Sequence, residues 1–281
     1  MVRIITDTTT GLPRDVTLAL GIPVLPQIVI FGEQSYRDDT ELDTAAFLQK
    51  LKASPSLPKT AAPPPAFYTP IYQQLVAEGN PVIVVAPSAK VSGTVRSAEV
   101  AAQDFPAADI RVVDTQVIAG NFATLVLLAD QLAKAGVTSD QIISRLNEWI
   151  PRQRTYFLVD TLEYLQKGGR IGGAKALLGE LIQIKPVLSI TNGQAEAYEQ
   201  QRTRKRSLAR LEEIVAEQCP KSPEAHLSVI QVAAEDEATE LAECLKKSMN
   251  MTEIPIYQLP PAIVVHGGPG TMGVGFFVGS K

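Results

Sequence analysis

The chain has 281 residues, of which 45% are hydrophobic and 20% charged, and its formal net charge is −4. This length allows two packed cores or one large one, and the composition is ordinary for a soluble globular protein. The acidic balance argues against nucleic acid as the main partner, no apolar stretch approaches the roughly 20 residues of a membrane span, and we expect no signal peptide.

The first half of the chain alternates apolar, β-like runs with helical segments. Strands are predicted where Val and Ile are dense between turn residues, at residues 2–6, 22–31, 81–86 and 110–114. Helices are predicted near residues 13–20, 44–52, 65–78, 92–103, 119–135 and 138–149. Nearly continuous apolar strands such as residues 82–85 indicate a mostly parallel sheet that helices cover on both faces.

From about residue 155 the pattern changes. Asn192-Gly193 lies between two strand-like runs, at residues 187–190 and 195–198, which is a strong hairpin signal. Further strands are predicted at residues 156–159, 227–232 and 254–258, and helices at residues 204–217 and 236–248. We therefore predict an N-terminal α/β domain at residues 1–154 and a C-terminal α+β domain with a mixed or antiparallel sheet at residues 155–281.

A glycine-rich loop follows His266, one of two histidines in the chain. The apolar residues 262–266 read as a strand, and residues 268–273 match the glycine spacing of dinucleotide-binding folds. That fingerprint needs a following helix, a second strand and an acidic residue about 20 positions on, so we expect no dinucleotide cofactor. Two interpretations of His266 stay open. It hydrogen-bonds an oxygen atom of a ligand, or it is buried in the core with its hydrogen bonds made to other protein groups.

Small hydroxyl residues and glycines lie in several loops, most of them at the ends of predicted strands. They are residues 6–10, Thr60, Ser92, Gly93 and Thr94. Ligands gather at the carboxyl ends of parallel strands, where free backbone N–H groups favour an anion such as a carboxylate. Each residue also has a local explanation, with Ser92 as a helix N-cap, Thr60 as a turn residue and Asp7 as the cap of the threonine-rich turn.

Arg170 follows a short predicted helix that ends at Gly168-Gly169. Paired glycines admit positive φ and aim the arginine in a direction that an ordinary helix end does not allow. We interpret Arg170 as one half of a buried ion pair between the domains, with Asp160 or Glu163 as its partner, in preference to a ligand contact.

The one dense basic cluster is Arg202, Arg204, Lys205, Arg206 and Arg210. If the helix extends back to Arg202, the arginines at 202, 206 and 210 share one face. A solvated helix face explains such a run, and a docking patch for phosphate or an acidic protein is the functional interpretation. Nucleic acid is a third reading, although no aromatic platform is interleaved with the charges.

The sequence shows no P-loop, metal-binding cluster or nucleophile elbow. Cys219 and Cys244 are far apart, so we expect reduced thiols, no metal site and a cytoplasmic location. An acyl hydrolase or transferase that uses Ser92 and His266 stays open as an alternative, although no orienting acid is evident.

Seven motifs in order resemble the DegV family, which includes the fatty-acid-binding subunits of bacterial fatty acid kinase. They are residues 6–9, 59–60, 88–94, 113–115, 160–171, 202–205 and 266–273. The resemblance covers essentially the whole chain and implies a two-domain α/β protein that holds one long-chain fatty acid between its domains. One departure is Ala61-Ala62, where relatives usually carry Ser-Gln and thus a further side-chain donor.

The resemblance also implies roles for individual residues. Thr60, Ser92 and His266 would hydrogen-bond the carboxylate, and Arg202 and Arg170 would face the phosphate or a partner kinase that uses ATP. The loop residues near the head group would be Gly93, Thr94, Gly267 and Gly268. We expect a monomeric, non-enzymatic carrier without a cofactor, which contacts a membrane surface at most transiently. The apolar helices at residues 119–135 and 174–181 are candidates for the wall of its tunnel, although ordinary core packing explains most of their residues.

Overall fold

A computed structural model describes residues 1–179 and 184–279. Within these ranges the strands are β1 (Arg3–Asp7), β2 (Val24–Leu25), β3 (Ile28–Phe31), β4 (Gln34–Arg37), β5 (Lys59–Ala61), β6 (Val82–Ala86), β7 (Ile110–Asp114), β8 (Gln153–Leu158), β9 (Val187–Thr191), β10 (Gln194–Glu199), β11 (Ser228–Gln231), β12 (Ile256–Gln258) and β13 (Met272–Phe277). The α-helices are α1 (Arg14–Leu20), α2 (Thr44–Ala53), α3 (Pro65–Ala77), α4 (Thr94–Ala102), α5 (Ala119–Lys134), α6 (Ser139–Trp149), α7 (Glu163–Lys167), α8 (Arg204–Gln218), α9 (Glu235–Met249) and α10 (Pro261–Gly267).

A four-stranded parallel sheet in the order β2-β1-β6-β7 forms the centre of the N-terminal half. Its inner strand β6 is buried along its whole length. Side chains on one face pack against α5 and α6, and those on the other face pack against α3 and α4. The parallel, helix-covered sheet predicted from the apolar strands is therefore confirmed.

The C-terminal half contains a six-stranded sheet in the order β10-β9-β8-β13-β11-β12. Only β11 and β12 pair in parallel, so the sheet is mixed, as predicted. Asn192 and Gly193 turn the chain between β9 and β10 with φ angles of 50° and 80°, which confirms the hairpin. One face of this sheet packs against α8 and α9, and the other is directed towards the N-terminal half.

A three-stranded antiparallel sheet, β4-β3-β5, was not predicted. The single strand predicted at residues 22–31 is wrong, because β2 and β3 belong to different sheets. Pro26 lies between them, and proline cannot donate to a strand ladder. Residues of β3 pack against α2 and α10 in one hydrophobic cluster.

The strand predicted at residues 262–266 is also wrong, because this segment is helix α10. Pro260 and Pro261 stand at its N-cap and first position, where the fixed φ of proline favours a helix start. Most residues of α10 are buried, so the helix has no polar face. Its sequence therefore lacks the pattern of polar and apolar residues that identifies a helix. The buried strand β13 after the glycine loop was missed, since Gly273 and Gly275 lower its strand propensity.

Helix α5 joins the two large sheets. A Cβ atom on Gly120 of this helix would lie 2.6 Å from the Oγ atom of Ser228 on β11. A Cβ atom on Gly275 of β13 would lie 2.7 Å from Oδ1 of Asn121. Both glycines therefore permit a close approach that a larger residue would block. This contact fixes the first turn of α5 between the halves of the molecule.

Candidate functional site

A cleft lies between the carboxyl ends of the parallel strands and the free face of the six-stranded sheet. Most of the wall is apolar, and it includes Phe157 on β8, Ile190 on β9, Ala195 on β10 and Ile230 on β11. An apolar ligand is the class of molecule that such a wall suits.

Several of the residues predicted for the site line this cleft. They are Thr60, Ser92, Gly93, Arg170, His266 and Gly267. Thr94 is buried directly behind Ser92, and Gly268 packs against the ring of Tyr164. Arg202 is exposed and is not among the residues that line the cleft.

Thr60 and His266 meet at the polar end of the cleft, with 2.8 Å between Oγ1 and Nε2. Thr60 is the middle residue of β5 and pairs with Val29, so its interpretation as a turn residue is wrong. His266 stands in the last turn of α10, which packs against β3. Two short elements of the small sheet region thus bring together side chains that are 206 positions apart.

His266 is neutral at pH 7, because burial and the nearby Arg170 guanidinium lower its pKa to about 4. Its Nδ1 atom is buried and has no hydrogen-bond partner among the described residues. Gly168 faces this atom so closely that an added Cβ would overlap it. Since a hydrogen on Nδ1 would find no acceptor there, the tautomer with its hydrogen on Nε2 is favoured. The imidazole therefore offers an N–H donor towards Thr60 and the cleft.

Arg170 reaches the cleft from the loop after α7. Its Nε atom donates to the carbonyl of Val91 at 3.1 Å, and a terminal nitrogen donates to the carbonyl of Gly168 at 2.8 Å. Gly169 adopts a φ of 69°, as the paired glycines predicted. Two backbone carbonyls therefore orient the guanidinium, whose other N–H groups stay available to a ligand.

The ion pair predicted between Arg170 and Asp160 or Glu163 is wrong. Asp160 binds Arg204 at 2.8 Å, and Glu163 pairs with Lys167 within α7. The left-handed turn at Gly169 directs the side chain of Arg170 towards the cleft. Asp160 and Glu163 do not line the cleft and pair with other basic residues, Arg204 and Lys167.

A layer of polar side chains lies behind Ser92. Helix α4 begins at Thr94 with Gly93 as its N-cap, and Ser92 Oγ accepts the N–H of Thr94 at 3.3 Å. Asp7 caps the turn Thr8–Thr10, as its alternative interpretation predicted, and is fully buried. Gln27, which lines the cleft and donates to Asp7 at 2.7 Å, was missed. A lone glutamine within the apolar run at residues 22–31 was the available signal.

The basic cluster does not form the predicted arginine face. Helix α8 begins at Arg204 with Thr203 as its cap, so Arg202 precedes the helix. Arg204 is paired with Asp160 and Glu237. The carboxylates that pair with Arg210 are those of Glu199, Glu213 and Glu217. The exposed basic side chains at this end are those of Arg202, Lys205 and Arg206.

Within residues 1–179 and 184–279, no group of three or more His, Cys, Asp and Glu side chains is placed to hold a metal ion. Among the helices in the same ranges, none is both long and apolar enough to cross a bilayer.

A sequence model of the DegV family, described as an uncharacterised protein family, matches residues 1–278. The chain belongs to the DegV family. A DegV domain-containing protein of Streptomyces coelicolor is 34% identical to it over 275 residues, which is 97% of each chain. The match therefore extends over both halves of the fold and over every part of the cleft.

Solved structures of DegV family members share this fold. A DegV family protein from Thermus thermophilus, described by its fatty acid binding, is 32% identical with a TM-score of 0.88 and covers 99% of each chain. DegV from Bacillus subtilis, described as a fatty acid binding protein, is 30% identical with a TM-score of 0.88, and covers 99% of each chain. The mixed α/β architecture of this chain is thus that of fatty-acid-binding DegV structures.

Proposed function

We propose that this DegV family protein binds one long-chain fatty acid, with its carboxylate at Thr60, Ser92 and His266. The observation that carries the proposal is a mostly apolar cleft whose polar end holds a neutral histidine bonded to a threonine. The fatty acid binding of two relatives at 30% and 32% identity supports it. In this proposal residues 1–154 and 155–281 are two domains, and the ligand lies between them.

Burial of the tail provides most of the binding free energy. Roughly 14 methylenes at about 0.8 kcal/mol each contribute on the order of 11 kcal/mol when they are fully buried. Binding remains tight after several kcal/mol are subtracted from this value for the freedom that the two molecules lose on association. Ile118 and Ala119, at the start of α5, line the apolar wall together with Phe157, Ile190, Ala195 and Ile230 of the six-stranded sheet, and Leu259, Ala262 and Ile263 line it from the segment that contains α10.

The head group needs hydrogen bonds, because a buried carboxylate without them costs several kcal/mol. In the tautomer favoured for His266, Nε2–H donates to Thr60, and the hydroxyl hydrogen of Thr60 is free for a carboxylate oxygen. The unused N–H groups of Arg170 add a positive charge at the same end. Ala62, which lines the cleft, offers no further side-chain donor.

We further propose that a partner kinase uses ATP to convert the bound carboxylate into an acyl phosphate. Arg204 binds Asp160, and a Cβ added to Gly270 in the His266 loop would overlap the Asp160 carboxylate. The segment of Arg202 therefore adjoins the loop that holds the head group. Arginine suits this position because its guanidinium binds phosphoryl oxygens and acidic side chains.

The alternative is an acyl hydrolase or transferase that uses Ser92 and His266. The Nε2 atom of His266 is bonded to Thr60 instead, and its Nδ1 atom has no acidic partner within the described part of the chain. A pKa of about 4 also makes this imidazole a weak general base near neutral pH. These observations favour a carrier, and incubation with long-chain acyl esters should release no fatty acid.

We propose that the carrier is a cytoplasmic monomer without a cofactor that contacts a membrane surface transiently to exchange its ligand. Cys219 and Cys244 are both free thiols, which suits a reducing compartment. Light scattering during size-exclusion chromatography tests the monomer, and sedimentation with vesicles tests the membrane contact.

Mass spectrometry of an organic extract of the purified protein tests the ligand. We expect one long-chain fatty acid per chain, and lipid-stripped protein should rebind palmitate with the same stoichiometry. Failure of the lipid-stripped, folded protein to bind any fatty acid from 12 to 20 carbons would overturn the proposal.

The kinase step is tested with Arg202→Ala and a matched control, Lys205→Ala, on the same exposed surface. Arg202→Ala should retain palmitate binding and lose most of the acyl phosphate formed with a fatty acid kinase, whereas Lys205→Ala should lose less. Equal rates for Arg202→Ala and the parent protein would exclude this role for Arg202.

A further inference from the structure

A buried series of hydrogen bonds connects the wall of the cleft to Asp7. Ser92 Oγ lies 2.9 Å from Thr94 Oγ1, which in turn donates to Asp7 Oδ2 at 2.7 Å. Gln27 Nε2 donates both to this carboxylate oxygen, at 2.7 Å, and to the Thr94 hydroxyl, at 3.0 Å. Asp7 and Thr94 are completely buried, and Ser92 lines the cleft.

The series has a direction, because each hydroxyl group has only one hydrogen. An ionised Asp7 only accepts hydrogen bonds, so it takes the hydrogen of Thr94. The contact between Ser92 and Thr94 then requires Ser92 to donate. In this arrangement Ser92 presents a lone pair to the cleft, and a ligand carboxylate is repelled.

Protonation of Asp7 reverses every hydroxyl in the series. Asp7 then donates to Thr94, Thr94 donates to Ser92, and the hydrogen of Ser92 points to the ligand. Thr94 Oγ1 uses its two lone pairs for Asp7 and Gln27, and Ser92 Oγ uses its own for the hydroxyl and the N–H of Thr94. Each hydrogen and lone pair of the two hydroxyls is thereby used when a carboxylate is bound.

We infer that Asp7 is a positioning residue for the ligand and that the fatty acid anion binds together with one proton, which Asp7 holds. The inference rests on the proposed function. The proton comes from the neutral acid, whose carboxyl O–H bond breaks, or from a hydronium ion of the solvent, which becomes water, and the new O–H bond forms at Asp7 Oδ2. Asp7 holds it in preference to the ligand, because Thr60, His266 and Arg170 stabilise the anionic head group.

Burial and hydrogen bonding act on Asp7 in opposite directions, because its carboxyl also accepts the backbone N–H and the hydroxyl hydrogen of Thr9, and burial has the larger effect. Burial raises the pKa of Asp7, and the structure places no basic side chain among its described hydrogen-bond partners. Asp38 faces it and has a pKa of about 7, raised mainly by burial, and the phenol of Tyr68 is a further neighbour. His266, with a pKa of about 4, stays neutral from pH 6 to 9 and takes up no proton there.

Infrared spectroscopy of protein loaded with palmitate at pH 7 tests where the proton lies. We expect the stretching band of a protonated carboxyl that does not shift when the palmitate carboxyl carries ¹³C, and that is missing from Asp7→Asn. Asp38→Asn is the control and should keep this band. Absence of the band, or a shift of the band with the label, would overturn the inference, whereas failure to load palmitate would overturn the proposed function itself.

A second pair of variants tests the positioning role without changing Asp7. Thr94→Val breaks the series and leaves the Ser92 hydroxyl free to donate to the ligand without protonation of Asp7, so palmitate binding should take up no proton. Thr94→Ser keeps the hydroxyl and should take up one proton per palmitate, as the parent protein does, which calorimetry in buffers of different ionisation enthalpy measures. Uptake of one proton by Thr94→Val would overturn the positioning role of Asp7.

Discussion

Gly168 faces Nδ1 of His266 so closely that an added Cβ overlaps the ring. In Gly168→Ala the imidazole must therefore move away from Thr60. We expect a loss of about 1–3 kcal/mol of unfolding free energy, typical of an overpacked site, together with weakened palmitate binding. Chemical denaturation and equilibrium binding measure the two effects. Gly279→Ala is the control, since its Cβ meets nothing within 4 Å, and unchanged palmitate binding by Gly168→Ala would contradict the role of His266.

The hydroxyl of Thr60 is tested by an exchange of similar shape. Thr60→Val keeps the branched side chain that suits β5 and removes the partner of His266 Nε2. We expect its Kd for palmitate to rise about tenfold or more, since hydrogen bonds to charged groups contribute about 1.5–3 kcal/mol. Thr60→Ser should bind nearly as well as the parent protein. Equal Kd values for the valine and serine variants would remove Thr60 from the head-group site.

Residues that line the cleft were predictable where a motif marks them, and their partners were not. Thr60, Ser92 and His266 were named from the sequence, but the 2.8 Å contact of Thr60 with His266 depends on how α10 packs against β3. The predicted partner of Arg170 was wrong for the same reason, since two backbone carbonyls bind its guanidinium. Backbone carbonyls have no sequence signature, so such contacts require the fold.

At the scale of elements, local signals were reliable. Asn192-Gly193 specified its hairpin, and the helix predicted at residues 138–149 begins after Thr138, which caps it through the backbone and side chain of Gln141. Elements whose character depends on distant contacts were misjudged. α10 is a helix made from residues that favour strands, and β13 is a central strand that contains two glycines. Both α10 and β13 are buried on several sides, so their sequences lack the regular alternation of polar and apolar residues by which a helix or a strand is recognised.

The close contact between α5 and β11 provides a prediction at this scale. Alanine normally stabilises a helix interior relative to glycine by about 1 kcal/mol, but Gly120→Ala places Cβ 2.6 Å from Ser228 Oγ. We therefore expect Gly120→Ala to lower the melting temperature. Ser228→Ala removes that oxygen, so the double variant should be more stable than the sum of the single effects predicts. Strict additivity in thermal unfolding would show that this contact does not couple α5 to the sheet.

At the scale of the whole molecule, the cleft itself was the least predictable feature. The helix at residues 119–135 was expected to line the tunnel, yet only its first residue does so. Phe122, Leu125 and Val126 instead fill the core between α5 and the parallel sheet. The other expected helix, at residues 174–181, is a 3₁₀ segment, Gly172–Leu177, and residues 180 and 181 lie outside the described residues. Apolar composition does not distinguish a packed core from a cavity wall.

In the proposed complex, the wall of the cleft at β9 and β10 would limit the length of the acyl chain. Thr155 and Ile190 line the cleft on one side and a separate, polar cleft on the other, so they form the partition between an apolar and a polar space. Ala195 pairs with Ile190 across β9 and β10 and lines the same wall. A methylene loses its favourable burial if it must pass this partition.

Ala195→Leu should therefore shorten the space for the tail and shift the bound fatty acids towards shorter chains. Ala197→Leu is the matched control, because it lies two residues along the same strand but is exposed and outside the cleft lining. The chain-length distribution in organic extracts of the two variants, purified from the same host, measures the difference. Identical distributions in a folded Ala195→Leu variant and its control would show that the tail does not run along β9 and β10.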